Sequence, residues 1–129
     1  MKLTQQSADG VNLIRRYGTD FIVIGEREIR SSCIVSANTL NDWRPGSVPE
    51  LTAESLVPIF ALEPEVVVLA TGPRQTFPRA ALRAEFATRK IGLEVMEIGA
   101  ACRTYNVLVG EERKVVAAIM LGGSAKGPE

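Results

Sequence analysis

The chain has 129 residues and a mass of 14.0 kDa, room for one domain but not for two. Hydrophobic residues make up 46% and charged residues 23%, and fifteen Lys and Arg balance fifteen Asp and Glu, which argues against a surface built for nucleic acid or an anionic membrane. There is no histidine, so a Ser-His-Asp triad, a Cys-His dyad, an imidazole metal site and a histidine proton shuttle are all excluded within this chain.

Met1 to Gly10 is polar and lacks the apolar stretch of a secretory signal or the arginines of a transit peptide. Val11 to Tyr17 alternates Val11, Leu13 and Tyr17 against Asn12 and Arg16, with Ile14 as the exception, and predicts a half-buried strand. Phe21 to Ile24 is apolar and largely β-branched. Gly25-Glu26 behind it suits a II′ hairpin turn, because glycine accepts the positive φ of the first central position. The returning strand is expected over Glu28 to Val35, with Ile29, Cys33 and Val35 on one face and Arg30 and Ser32 on the other. Asn38 to Leu51, with Pro45-Gly46 and Pro49, reads as an irregular loop carrying the only tryptophan, Trp43.

A helix follows from Thr52 or Ser55, either of which can cap it. The later start places Pro58 in the first turn, where its missing N–H costs little, and Pro64 ends the helix. From there strands and helices alternate. Glu65 to Ala70 reads as a strand buried on both faces, Thr71 to Thr76 as a turn-rich loop, and Pro78 to Lys90 as a helix with Leu82 and Phe86 inward. Leu93 to Ile98 is the next strand, Gly99 to Val109 a helix with Gly110 at its C-terminal cap, and Val115 to Leu121 the last strand. The sum is one α/β domain over residues 1–129, with a largely parallel central sheet, an N-terminal antiparallel portion, an ordered core over about 11–121 and a flexible tail over 122–129. No apolar run approaches the ~20 residues of a membrane span.

Open α/β sheets bind ligands beyond the C-terminal ends of their parallel strands, and two loops are expected there. If their strands are neighbours, Gly72, Arg74 and Gln75 face the start of a helix carrying Cys102, Arg103 and Thr104. Free N–H groups at that helix start, with Arg74 and Arg103 beside them, form a candidate cleft for a carboxylate or phosphate. The plainer reading is that Gly72 and Gly99 serve tight turns while Ala100 and Ala101 pack a helix on the sheet. Dinucleotide and P-loop signatures are missing. Cys102 is either a thiolate activated by the helix start and Arg103 or a buried structural residue; Cys33 reads as core. The two cysteines, 69 positions apart, fit neither a metal site nor a disulfide scaffold, and two reduced thiols in a cytoplasm are expected. Trp43 either plugs one end of the core or anchors an interface. Glu63, Glu65, Glu111 and Glu112 have no partners at metal-ligand spacing.

One segment series is more specific: Thr71-Gly72-Pro73-Arg74, Phe77-Pro78, Ile91-Gly92-Leu93-Glu94-Val95-Met96 and, above all, Ala100-Ala101-Cys102-Arg103-Thr104-Tyr105-Asn106-Val107-Leu108. With Trp43 and the Leu51 to Pro64 region, it resembles the small bacterial and archaeal domain of unknown function related to mitochondrial complex I assembly factor 3. The resemblance runs from about Val11 to Leu121, with Ala70 standing where relatives often carry glycine. It implies a three-layer α/β fold with a mixed central sheet. It also implies a cytoplasmic, non-catalytic accessory factor that binds proteins, respiratory-complex subunits among them, and leaves homo-oligomerisation open. No cofactor, metal or catalytic residue comes with the family. The alternative is a small-anion-binding protein or enzyme using the cleft at Gly72 and Arg74 and the 99–104 helix start.

Overall fold

In the computed structural model, which describes residues 10–121, eight strands form two sheets. β1 (Ile14–Tyr17), β2 (Ile22–Ile24) and β3 (Arg27–Ile29) make an antiparallel three-stranded sheet in that order. The β2–β3 turn is the expected two-residue Gly25-Glu26 loop, with Gly25 at φ 61° and Ile24 opposite Arg27.

The returning strand is shorter than the sequence suggests. It stops at Ile29, and residues 30–32 carry the chain across to a second sheet, which begins with β4 (Cys33–Ser36). Ile29, Cys33 and Val35 still face one core, because the two sheets share it. Ser32, expected on the wet face with Arg30, is buried, and its Oγ accepts from the Leu121 N–H at 3.0 Å. The Asn38 to Leu51 segment is likewise not all loop. Thr39–Asp42 returns as β5 beside β4, and a 3-10 turn spans Val48–Glu50.

The second sheet has the order β5-β4-β8-β6-β7. β6 (Val66–Ala70) runs parallel to β7 (Gly92–Met96) and β8 (Val115–Ile119), while β4 is antiparallel to β8. Every residue of β6 and β8 is buried because both faces are covered, the reason those strands are almost wholly aliphatic. On one face Val67, Leu69, Val116 and Ala118 meet Leu56 and Ile59 of α1 (Ala53–Phe60) and Leu82 and Phe86 of α2 (Ala80–Thr88). On the other, Val66, Val68, Ala117 and Ile119 meet Ala101, Cys102, Tyr105 and Val109 of α3 (Ile98–Gly110), together with Ile14, Ile22 and Ile24 of the small sheet. This is a three-layer α/β fold with a mixed central sheet.

Thr52 decides where α1 starts. Its Oγ1 accepts from the Ser55 N–H at 3.2 Å, and the Ser55 Oγ accepts from the Thr52 N–H at 3.1 Å. This reciprocal box holds two of the N–H groups that a helix start leaves without partners, and it outweighs the benefit of a later start. Pro58 therefore lies inside the helix rather than in its first turn, and α1 ends at Phe60, before Pro64. At the far end of the chain, Gly110 is the last helical residue of α3 and Glu111 its cap. The tail expected over 122–129 lies outside the described residues.

Candidate functional site

β6 and β7 are neighbours, so the loop after β6 and the start of α3 after β7 open at the same end of the sheet. Main-chain bonds join them: the Thr71 N–H donates to the Met96 carbonyl at 2.9 Å and the Ile98 N–H to the Gly72 carbonyl at 2.8 Å. Gly72 has a φ of 95° with open space where a Cβ would stand, so conformation rather than crowding calls for glycine there. The Thr71 hydroxyl donates to the Arg74 carbonyl at 2.6 Å and accepts from the Thr76 N–H at 3.0 Å. That clamp turns the loop tightly and leaves Arg74 exposed.

Gln75 is also exposed, but its amide is engaged. Nε2 donates to the Val95 carbonyl at 2.9 Å. The Gly92 N–H and Met96 carbonyl bond toward β6, so by strand alternation the Val95 carbonyl points off the open edge of the sheet. Gln75 covers part of that edge, a common protection against unwanted strand pairing.

The start of α3 is already occupied by the chain's own carboxylate. Glu97 Oε1 accepts from the Gly99 N–H at 2.7 Å and Oε2 from the Ala100 N–H at 2.8 Å. A negative group at a helix N-terminus satisfies orphan donors and the helix dipole together. Gly99 leaves the room for it: a Cβ there would meet Glu97 Oε1 at 3.2 Å, the Tyr17 ring at 3.2 Å and Arg103 Nη1 at 3.3 Å. Arg103 is exposed and donates to the Tyr17 hydroxyl at 2.6 Å. Thr104 is half-buried one position further on.

Cys102 points the other way, into the core, at 1% exposure. Burial, with the Glu97 charge adding to it and Arg103 opposing, pushes its thiol up to about 12. Cys33 is raised to about 12 as well, again chiefly by burial. Both thiols are held protonated at neutral pH, which is the structural rather than the activated reading of Cys102. Trp43 is 7% exposed, its indole N–H donates to the Ser55 carbonyl at 2.9 Å, and its ring closes the α1 side of the core.

Four residues around α3 take roles that the sequence pattern does not announce. Glu97 was the hardest to see, because glutamate is not among the usual N-cap residues. Tyr17 was read as a strand residue, and its partner lies 86 positions away. Asn106 and Tyr105 stood in the most specific segment, and both turn out to tie α3 to the chain around β1. A concavity of about 430 Å³ lies at the opposite end of the sheet, among Val11, Leu62, Val109 and Val115, and adjoins none of the cleft residues. Among the described residues no group of three or more Cys, Asp or Glu is placed to hold a metal ion, and no helix is long and apolar enough to cross a membrane.

Comparison with known proteins converges on one family. The sequence profile of the family described as "Protein of unknown function (DUF498/DUF598)" matches residues 14–120. The chain is similar to the NADH dehydrogenase [ubiquinone] 1 alpha subcomplex assembly factor 3 of Danio rerio, at 31% identity over 93% of this chain and 70% of that protein. The fold superposes on an NMR structure of a Xanthomonas campestris protein with a TM-score of 0.80 and 36% identity, covering 87% of this chain and 86% of that one. A crystal structure from Bordetella parapertussis gives a TM-score of 0.81 at 27% identity, covering 86% of this chain and 96% of that one. With the matched stretch running from the first residue of β1 to just past β8, the chain belongs to the DUF498/DUF598 family.

Proposed function

We propose that this chain is a non-catalytic, protein-binding accessory factor that acts in the cytoplasm in the assembly of a respiratory NADH dehydrogenase-type complex. The observation that carries the reading is the 31% identity to an assembly factor of that enzyme over 93% of this chain, both sheets and all three helices included.

The chemistry of the strand-end site supports it. Apart from Arg74, which is exposed, the groups that an anion-binding or thiol-based reading would recruit are engaged within the chain: the first N–H groups of α3 by Glu97, Arg103 by Tyr17, and both thiols by the core. What this end offers outward is side-chain surface, namely Arg74, Gln75, Phe77 at 60% exposure and the Tyr17–Arg103 pair. Arginine and aromatic residues are enriched at protein interfaces. The proposed contact surface therefore comprises Arg74, Gln75, Arg103 and Thr104 with Phe77 and Tyr17, with Gly72 and Cys102 buried behind it.

Affinity purification of the tagged chain from respiring cells of its own host tests this reading. NADH dehydrogenase subunits should be enriched over a tag-only control, and Phe77→Glu with Arg74→Glu should abolish the enrichment. Recovery of those subunits at the control level would overturn it.

A further inference from the structure

α3 is unusual in its outer face. Of its thirteen residues, Ile98 to Gly110, only Arg103 is charged. Ala101, Cys102, Tyr105 and Val109 face the core, and at 100° per residue the opposite side of the helix is centred on Val107, which is 58% exposed. Half-buried Ala100 and Thr104 flank it, and the exposed Tyr17 ring lies beside the first turn. Two charges bracket Val107. Arg103 stands one turn before Val107 and Glu111 one turn after it, each about 6 Å along the axis. Both are exposed, and neither makes an ion pair among the described residues.

That spacing is self-complementary. If two copies of α3 meet antiparallel about a two-fold axis passing at Val107, each residue n lies level with residue 214 − n of the other copy, so Val107 meets Val107 and Arg103 comes level with Glu111 on both sides. A parallel pairing would instead set Arg103 against Arg103. We propose that the α3 face is an isologous contact for a second copy of this chain, centred on Val107 and oriented by reciprocal Arg103–Glu111 pairs. One helix face is small beside the roughly 800 Å² per partner of a standard interface, so the dimer is weak and concentration-dependent. This face shares Arg103, Thr104 and Tyr17 with the surface proposed for assembly, but it rests on Val107 and Glu111, which that surface does not include.

Sedimentation equilibrium over a rising concentration series tests it, with circular dichroism confirming that each variant is folded. The wild-type chain should dimerise in roughly the 0.1–1 mM range. Val107→Glu, at an exposed position, should leave only monomer. Arg103→Glu or Glu111→Arg alone should raise the dissociation constant about tenfold, because two symmetric attractions become repulsions. The double variant Arg103→Glu with Glu111→Arg should return it to near the wild-type value. A wild-type chain that stays monomeric at ~2 mM, a dimer indifferent to Val107→Glu, or a double variant no tighter than the singles would each overturn the proposal.

Discussion

The side-chain amide of Asn106 makes with Ile14 the two bonds that a neighbouring strand would make. Its Oδ1 accepts from the Ile14 N–H and its Nδ2 donates to the Ile14 carbonyl, both at 2.9 Å. A helix thereby stands in for a strand at the edge of the small sheet, across 92 positions of sequence. One residue earlier, the Tyr105 hydroxyl donates to the Asn12 carbonyl at 2.8 Å. Together they fix the lead-in to β1 against α3, and so place Tyr17 over the helix start.

Asn106→Ala should therefore destabilise the chain by about 2 kcal/mol in urea unfolding, because two part-buried backbone groups lose their partners at once. Asn106→Asp keeps the acceptor but aims a carboxylate at the Ile14 carbonyl. Its deficit relative to wild type should shrink in acid, once the protonated carboxyl can donate as the amide does.

Removing the Glu97 carboxylate exposes the free end of α3. Glu97→Ala should cost about 1–2 kcal/mol, as expected for loss of a cap that also complements the helix dipole. The variant should then gain thermal stability from added inorganic phosphate, while the wild-type chain should not. Phosphate-dependent stabilisation of the wild type, with amide shifts at Gly99 and Ala100, would show that the helix start is open after all.

Burial of the thiols gives a pH dependence with a definite sign. Both Cys33 and Cys102 are raised from 9.0 to about 12 in the folded chain, so between those values the unfolded state releases protons that the native state retains. Stability is undiminished below pH 9 and falls as pH climbs toward 12, by up to roughly 1.4 kcal/mol per pH unit for each thiol. Chemical denaturation across that window should show a shallower decline in Cys33→Ala/Cys102→Ala. A maleimide at pH 8 should label both cysteines far faster in denaturant than in the native chain.

The parts of the fold legible in the sequence were those where local pattern and burial agree. The Val66–Ala70 run announced a strand covered on both faces, and Gly25-Glu26 announced its hairpin, because each depends on residues near in sequence. β5 was missed since Thr39–Asp42 (Thr-Leu-Asn-Asp) lies at the sheet edge and carries no apolar alternation; β4 beside it supplies the ladder. The break after Ile29 was hidden because one apolar face serves both sheets, so Ile29, Cys33 and Val35 kept strand periodicity across a change of sheet. At the site, the strand-end location followed from topology. Its chemistry did not: Tyr17 and Asn106 take their roles from contacts that close only when α3 lies against β1, and Glu97 is a local cap of a residue type that seldom caps.

A role in assembly is read from the amount of intact NADH dehydrogenase in the cell. In a strain lacking the gene, native gels should show less of the intact enzyme and more of its subcomplexes. The wild-type chain should restore the intact enzyme, and the Phe77→Glu/Arg74→Glu variant should not. Intact enzyme at wild-type abundance in the deletion strain would rule out a role for this chain in assembly.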